Sequence, residues 1–414
     1  MNSLFVASRT RHLGRLPHAF LSFAVLAGVL IPPPTGHSGE TLYASAALNA
    51  SIEDNVYRSS TGREANAAQL FAEAGRRFAF HGSSEAVIFY NGSTYYFPSI
   101  SSLNLAVHGA GITISSPLGS SMEIAGTVRG DFRRGSGDYS DLNFNQLDLS
   151  TEWTRMSTWG SFGAAFEVRM RGYAVTGPGY TAYEPAVFVA GRLGRAQWRI
   201  DAGFGHKSLD PSVVSTQVTD GGGMMGGGGM HGIGGMGDMT IQIQTVPQAS
   251  VERGSIALTV SRPLGPQMGM RLGATYGRVL SGVSPYFPGL DILQNGYAIE
   301  RFDDAYSFQG WSGEARLTRL LPLHSQLVLI AIYRSLDYPG RPAMDKTGKP
   351  LDPFLERADR EGIAQLKLAK ALAARGPFER LAVTASFTYY RNSSNDQYYR
   401  ATDRMWLLGF EFRL

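Results

Sequence analysis

The sequence predicts an all-β chain that closes into an antiparallel transmembrane β-barrel of about sixteen strands, with both termini on the periplasmic rim. Three observations support this prediction. Between Leu42 and Leu414, segments long enough to cross a bilayer alternate apolar and polar residues at period two. The connections between these segments are short and long in turn. The chain is rich in Gly (50), Tyr (19) and Phe (22), and beyond residue 40 no apolar run is long enough for a membrane-spanning helix.

Residues 1–38 have the pattern of a signal peptide, which leaves residues 39–414 as one barrel domain. Three arginines and no acidic residue precede an apolar run from Ala19 to Ile31. This run is too short to cross a hydrocarbon core of about 30 Å as a helix, so a membrane anchor is the less favoured interpretation. Cleavage near Ser38 and cleavage at Ala46 both suit the small residues of this region. We therefore expect the chain to be exported.

Composition excludes several classes of site. The chain contains no cysteine, so it has no disulfide, no lipid-anchored cysteine, no c-type haem attachment and no thiolate metal site. Once the three leader arginines are removed from the 38 basic residues, the remaining basic residues nearly equal the 34 acidic ones. This balance gives no reason to expect nucleic acid as a partner.

The alternating segments define the expected strands. Segment 356–375 could also form a helix, because it is rich in Ala, Leu and Lys, but its alternation favours a strand. The expected strands are 41–57, 67–80, 84–97, 101–116, 119–134, 140–156, 158–175, 180–194, 196–207, 249–263, 268–283, 305–321, 324–337, 360–375, 378–392 and 402–414.

The connections give the orientation. Tight turns follow the even-numbered segments, and the long connections 208–248, 284–304, 338–359 and 393–401 follow odd-numbered ones. Outer-membrane barrels place short turns on the periplasmic rim and long loops on the cell exterior. The long connections are therefore expected outside the cell.

Alternation also assigns faces to the strands. In segment 381–390 the row from Leu381 to Tyr389 is apolar, whereas the row from Ala382 to Tyr390 is rich in hydroxyl groups. In segment 162–173, Phe166, Val168 and Met170 are expected to face lipid. Between them lie charged residues that would face the lumen.

The last segment carries a family resemblance. In 406–414 (WLLGFEFRL), Trp406, Phe410 and Leu414 belong to one period-two row, which resembles the C-terminal strand of Gram-negative outer-membrane β-barrel proteins. Such strands usually end in Phe or Trp, and this one ends in Leu. The runs 53–58 (EDNVYR) and 386–396 (SFTYYRNSSND) resemble the ends of porin-like, unassigned and export-linked barrels. The resemblance implies insertion into outer-membrane lipid by the barrel assembly machinery. Export barrels usually carry a helical-repeat domain that is not expected here.

The inward faces predict a lumen wall of mixed charge. One interpretation is structural ion pairing along the wall, and the other is a charged eyelet that orders water and selects solutes. Arginine suits such a wall because its planar fork can bind carboxylates through two hydrogen bonds. The candidate pore-lining residues are Arg129, Asp131, Arg133, Asp148, Glu152, Glu167, Arg169, Arg171, Glu314 and Arg316.

Segment 221–239 (GGGMMGGGGMHGIGGMGDM) is the most unusual in the chain. Thioethers and an imidazole are soft ligands that could hold Cu(I), although glycine gives no fixed ligand geometry. The alternatives are a loop folded into the lumen as a constriction and a mobile external loop. The candidate copper ligands are Met224, Met225, Met230, His231, Met236 and Met239.

Catalysis is not expected. Five histidines follow the leader, and none lies in a recognisable catalytic motif. One of them, His108, is expected to face inward. A barrel of about sixteen strands is wide enough for an aqueous channel, whereas eight strands fill their interior with side chains. The leading functional prediction is therefore passive or facilitated diffusion of small hydrophilic solutes without a cofactor. The alternatives are a barrel that exports exopolysaccharide or assembles surface proteins, and a copper-handling surface protein.

Overall fold

The computed structural model describes residues 41–56, 60, 62–80, 83–135, 143–173, 179–210, 212–218, 240–246, 249–283, 304–346, 349–352, 354–372 and 380–413. For 212–218 and 240–246 it describes the backbone alone. No helix within these ranges is long and apolar enough to cross a bilayer. The expected signal peptide and the Met-rich segment 221–239 lie outside the described residues.

The described residues form sixteen antiparallel strands in one closed barrel, together with a separate two-stranded hairpin. Closure pairs every strand on both sides, so the backbone exposes no sheet edge to lipid. The strands are β1 Thr41–Glu53, β2 Ala65–Ala79, β3 Glu85–Tyr96, β4 Leu105–Pro117, β5 Met122–Gly135, β6 Phe144–Met156, β7 Gly160–Tyr173, β8 Tyr180–Leu193, β9 Ala196–Leu209, the hairpin strands β10 Ser212–Val218 and β11 Thr240–Val246, then β12 Ser250–Gly265, β13 Met268–Ser281, β14 Gln309–Leu321, β15 Ser325–Pro342, β16 Glu356–Leu372, β17 Arg380–Asn392 and β18 Ala401–Arg413.

The barrel closes between its first and last strands. Strand β18 pairs with β1 in a register that places Phe410 opposite Leu48 and Trp406 opposite Ile52. The predicted strand at 360–375 is confirmed, because β16 pairs with β15 and β17, and it begins earlier than predicted, at Glu356. The predicted fold class is likewise confirmed.

Connection lengths differ between the two rims. On one rim β8 and β9 are joined by residues 194–195, and β12 and β13 by residues 266–267. In the first of these turns Gly194 has φ 59°, a backbone conformation in which a side chain would be strained. On the other rim lie 210–249, 282–308 and 343–355. The predicted alternation of short and long connections is confirmed.

The outer surface is apolar, as a lipid-facing surface must be. Large side chains such as Val187, Ile256 and Leu408 are more than half exposed on the outward rows. An apolar exterior combined with short turns on one rim and long loops on the other is the architecture of Gram-negative outer-membrane barrels. The chain is therefore an outer-membrane β-barrel, with its long loops on the exterior rim.

Two of the strand starts that were predicted too early share one reason. The expected strands at 101 and 305 begin in the structure at Leu105 and Gln309, and short 3₁₀ turns precede both. Leu103 and Tyr306 precede these strands and pack against the inner wall, and in the sequence they extend the strand pattern. Strand β1 also ends earlier than predicted, at Glu53, and the connection 208–248 contains the hairpin β10–β11.

The expected inward orientation of His108 is wrong. On β4, Gly109 and Gly111 share the inward row with Asp131 and Arg129 of β5, so His108 lies on the outward row. There it stacks on Phe132, with ring centroids 5.0 Å apart. Its Nδ1 lies 2.7 Å from the Tyr90 hydroxyl. The three side chains form an aromatic patch on the lipid-facing surface, where amphipathic rings are common near membrane interfaces.

Candidate functional site: the barrel lumen

The lumen is packed in its exterior half and open in its periplasmic half. Inward residues near the exterior ends of the strands are buried, including Glu53, Arg133 and Asp359, each at most 1% exposed. Toward the periplasmic rim the inward side chains of Glu73 and Lys367 are exposed. Since these rows all face inward, the difference shows that other parts of the chain fill the exterior half.

One filling element is the first inward segment, residues 97–104 between β3 and β4. Its Phe97, Ile100 and Leu103 are buried in one apolar cluster with inner-wall residues. Asn104 Oδ1 accepts a hydrogen bond from the Phe97 N–H at 2.6 Å, which closes the segment on itself. Burying a large apolar side chain contributes about 1.5–3 kcal/mol, so three such residues hold the segment firmly against the wall.

The second inward segment, residues 304–308, lies against another part of the wall. Tyr306 is buried among inner-wall residues of β8, β9 and β12, including Ala182 and Val251. Its hydroxyl donates a 2.8 Å hydrogen bond to Glu184 Oε1 on β8. Its ring occupies the space that a side chain at position 205 would need, since a Cβ on Gly205 would collide with the phenol. Gly205 therefore allows the Tyr306 ring to lie close to the backbone of β9.

The loops after β15 and β17 close the remaining exterior side. Arg357 and Asp359 form a buried ion pair of 2.6 Å, and the Arg357 guanidinium lies 3.4 Å from the Tyr399 ring centroid. Asp396 joins the two loops, because its Oδ2 accepts the Met344 N–H at 3.1 Å. Burial is the largest influence on Asp396 and raises the pKa of its carboxyl group.

A row of ion pairs crosses the inner wall from β5 to β7. Arg129, Asp148 and Arg169 lie in one register row. The Arg169 Nε is 3.1 Å from Asp148 Oδ1, and its Nη2 is 2.6 Å from Glu167 Oε1. Arg129 binds Asp131 of the next row at 2.8 Å. The side chains of Arg129, Arg169 and Glu167 remain between about one fifth and one third exposed, so they face the lumen.

The next row toward the exterior is buried. Arg171 Nε donates a 2.6 Å hydrogen bond to Gln146 Oε1. Its guanidinium lies 4.2 Å from the Phe144 ring centroid, and Arg171 is 3% exposed. The boundary between packed and open lumen therefore falls between Arg169 and Arg171, which are about 7 Å apart along the strand.

The ten candidate pore-lining residues all lie on inward rows, but the structure does not bring them into one ring. Six of them belong to the β5–β7 network, and Arg133 is buried beside it. Glu152 lies toward the periplasm and accepts a hydrogen bond from Thr154 at 3.2 Å. Glu314 and Arg316 lie on β14, separated from β7 by β8, β9, β12 and β13. The residues of the β5–β7 network are Arg129, Asp131, Asp148, Glu167, Arg169 and Arg171.

The wall from β16 through β1 to β2 has a different chemistry. A cavity of about 470 Å³ opens there, lined largely by amides and hydroxyls such as Asn49, Gln365 and Ser386. Lys367 and Glu411 are its charged lining residues. The lumen thus combines a charged sector and a mainly neutral polar sector.

Three features of the lumen were missed by the sequence analysis. Gln146 bridges Asp148 and Arg171, with a 2.7 Å hydrogen bond to the former. Glu184 anchors the second inward segment. Lys207 lies 4.2 Å from the Tyr180 ring centroid. Period-two alternation could have placed all three side chains on inward rows. For the inward loop at 97–104, the available signal was its apolar residues.

Metal binding by the Met-rich segment stays a prediction, because its six candidate ligands lie outside the described residues. Among the residues that are described, no group of three His, Asp or Glu side chains is placed to hold a metal ion. A Cu(I) titration of the full chain is the direct test.

Comparisons with known proteins show fold similarity alone. No protein-family model matches the sequence, and no curated protein matches it. The barrel is similar to Pseudomonas aeruginosa OpdO, with a TM-score of 0.45 and 11% identity over 91% of this chain and 97% of that chain. It is similar to Pseudomonas aeruginosa OccK8 (OprE), with a TM-score of 0.45 and 10% identity over 91% and 98%. The ferric enterobactin receptor PfeA matches 87% of this chain and 55% of that chain, with a TM-score of 0.42 and 10% identity. Sequence identities this low do not assign a substrate to this chain.

Proposed function

We propose that the protein is a restricted channel for passive or facilitated diffusion of small hydrophilic solutes. The observation that carries this proposal is the row of Arg129, Asp148 and Arg169, which lies at the inner edge of the packed layer and faces the lumen. A barrel of this strand number encloses more space than its own side chains fill. The two inward segments reduce that space and leave polar surfaces beside it.

The path is proposed to run along the β5–β7 row. The first inward segment packs on the side of β2–β4 and the second on the side of β8–β12, and the charged row lies between these two sides of the wall. A solute that leaves water at this point meets alternating guanidinium and carboxylate groups. Mixed charge can replace the hydration of polar and charged solutes without binding them too tightly to leave.

Packing of the exterior half argues against the alternative of polymer or protein export. A folded protein would need the inward segments to leave the lumen, and these are held by the burial of Phe97, Ile100, Leu103 and Tyr306. Small solutes do not need that displacement. A copper-handling function has no support from the described residues.

Planar-bilayer recording and liposome swelling with the full chain test the proposal. We expect a steady open state of low conductance, together with flux of small sugars, amino acids and carboxylates that falls steeply with solute size. Heat-denatured protein from the same preparation is the control. Absence of conduction and of swelling with every small solute would contradict the channel assignment.

A further inference from the structure

A cavity of about 650 Å³ lies at the exterior ends of β17 and β18, lined by residues of these strand ends and of the loop between them. Arg391 and Arg400 both line it, and none of its lining residues carries a carboxylate. Both arginines are exposed. Arg400 is held in place because its Nε and Nη2 donate to the Ser394 carbonyl at 3.2 and 3.1 Å. This arrangement presents two guanidinium groups to an anion.

The walls of the cavity are fixed by hydrogen bonds to β16. Ser393 N–H donates to the Arg360 carbonyl at 3.0 Å, and Asn395 N–H donates to the Ala358 carbonyl at 3.1 Å. The Asn395 side chain donates in turn to the Glu356 carbonyl at 2.8 Å. A ligand would therefore meet a preformed site, which lowers the entropic cost of binding.

The inner wall of the cavity is closed by Asn392. This residue is 3% exposed and lies on the inward row of β17 with Thr388, and its Nδ2 donates to the Tyr399 carbonyl at 3.1 Å. The charged donors of the cavity are therefore Arg391 and Arg400, whose guanidinium groups suit a phosphate.

The position of the cavity identifies the source of such a ligand. Arg391 lies opposite Thr402 on the outward face, with Phe387 opposite Trp406 two rows closer to the membrane centre. The latter rings are in contact, with centroids 4.4 Å apart. Below them Leu408 and Phe410 are exposed to lipid. The outward face therefore changes from cationic to aromatic to aliphatic over a few rows, which matches the depth profile of a membrane lipid.

We propose that this cavity binds the phosphorylated headgroup of an outer-leaflet glycolipid of the lipid A type. Arg391 and Arg400 bind a phosphate, and the acyl chains lie along Phe387, Trp406 and Leu408. Arg391 lies on the outward row of β17, so the proposed site is independent of the proposed channel function. An anchored glycolipid would hold the loop between β17 and β18 at the membrane surface.

Native mass spectrometry of the detergent-solubilised full chain tests this site with bis-phosphorylated lipid A and a phosphate-free analogue. Loss of one charge-assisted contact should weaken binding of the phosphorylated lipid by about tenfold in R391Q and in R400Q. The matched control is R278Q, which removes an exposed, outward-facing arginine on β13. Folding is checked by the heat-dependent shift in gel mobility, and R391Q keeps the test valid if R400Q disturbs the loop.

Wild-type and R278Q proteins should retain the phosphorylated lipid, and the phosphate-free analogue should bind no better to wild type than to R391Q. Equal retention of phosphorylated lipid A by wild type and folded R391Q would overturn the site. Equal binding of both lipids to wild type would show that the acyl chains alone bind, and it would overturn the phosphate site. Displacement of the lipid by equimolar inorganic phosphate would show a simple anion site and overturn the glycolipid assignment.

Discussion

The Tyr306 hydroxyl donates a 2.8 Å hydrogen bond to Glu184 Oε1 and so fastens the second inward segment to the wall of β8. The partners are 122 residues apart in the chain, and no local sequence pattern joins them. The contact depends on Gly205, whose missing side chain leaves room for the phenol ring. One hydrogen bond and one glycine thus position the segment that narrows this side of the lumen.

Loss of this contact should widen the channel. Tyr306→Phe removes a hydrogen bond to a charged acceptor, which contributes about 1.5–3 kcal/mol, so the displaced segment should become about tenfold more populated. Tyr306→Ala also removes the ring and should increase conductance further. Single-channel recording measures both, with the lipid-facing Tyr276→Phe as control. Unchanged conductance in Tyr306→Ala would show that the segment does not border the path.

Arg169 and Arg171 should have different effects although they are two residues apart on one face of β7. Arg169→Gln removes a positive charge that faces the lumen and leaves Asp148 and Glu167 without it, so the zero-current potential should shift toward cation preference. Arg171→Gln removes a guanidinium packed on Phe144 and should leave ion selectivity nearly unchanged while lowering stability by about 1–3 kcal/mol.

Zero-current potentials in a salt gradient and thermal unfolding in detergent, measured on both variants, separate these two effects. Recording at two salt concentrations adds a check, because screening should reduce the Arg169 effect at high salt. A selectivity change in Arg171→Gln as large as that in Arg169→Gln would contradict the boundary drawn between the two rows.

The sequence was sufficient for the barrel because one physical requirement repeats along every strand. Phe387, Trp406 and Phe410 must face lipid while Thr384 and Thr388 face the interior, and period-two alternation records that requirement directly. The burial of individual inward residues was not predictable in the same way. Arg169 and Arg171 have the same chemistry and the same face, and only the position of distant chain segments separates them.

The two inward segments show where alternation misleads. Phe97, Ile100 and Leu103 are apolar because they pack on the wall, yet in the sequence Phe97 merged with the end of β3 and Leu103 with the start of β4. His108 shows the converse case, since a polar side chain on a lipid-facing row is accommodated by Tyr90 and Phe132. In each case the deciding contact comes from another strand or loop.

The C-terminal strand gives a direct test of strand faces. Phe410→Arg places a charge against hydrocarbon and should cost about 2–4 kcal/mol at mid-depth, so the level of folded barrel should fall. Leu407→Arg is the matched variant, because Leu407 lies on the inward row between Ser51 and Ser386. Heat-dependent gel mobility of outer-membrane fractions measures both. Equal losses in the two variants would contradict the face assignment.

Orientation in the membrane can be tested at the connection between β9 and β12. An epitope that replaces residues 221–239 should be labelled on intact cells, because long connections lie on the exterior rim. The same epitope inserted between Gly265 and Met268, in the tight turn of the opposite rim, should be labelled only after permeabilisation. Labelling of the second insertion alone on intact cells would invert the topology.

Asp396 should make the exterior loops sensitive to pH. Its carboxyl group is buried, and it accepts N–H groups from Met344 and Tyr398 while facing Arg357 and Asp359. Burial raises its pKa in the folded protein, so the protonated form is favoured by folding. The stability from this group is therefore complete below the unfolded pKa of about 4 and is lost as pH rises through the higher folded value. Asp396→Asn keeps a neutral side chain at every pH and should lose this dependence.

The measurement is the change in thermal midpoint between mildly acidic and neutral pH for wild type and Asp396→Asn. The comparison uses the slope of the thermal midpoint against pH. The hydrogen bond that an amide cannot replace lowers the midpoint at both pH values, whereas loss of the titrating charge changes the slope. Asp352→Asn is the matched control, since Asp352 is an exposed loop carboxylate that accepts the Phe354 N–H at 2.8 Å. The wild-type midpoint should fall more between the two pH values than that of Asp396→Asn. Identical slopes in the two proteins would show that Asp396 does not couple loop stability to pH.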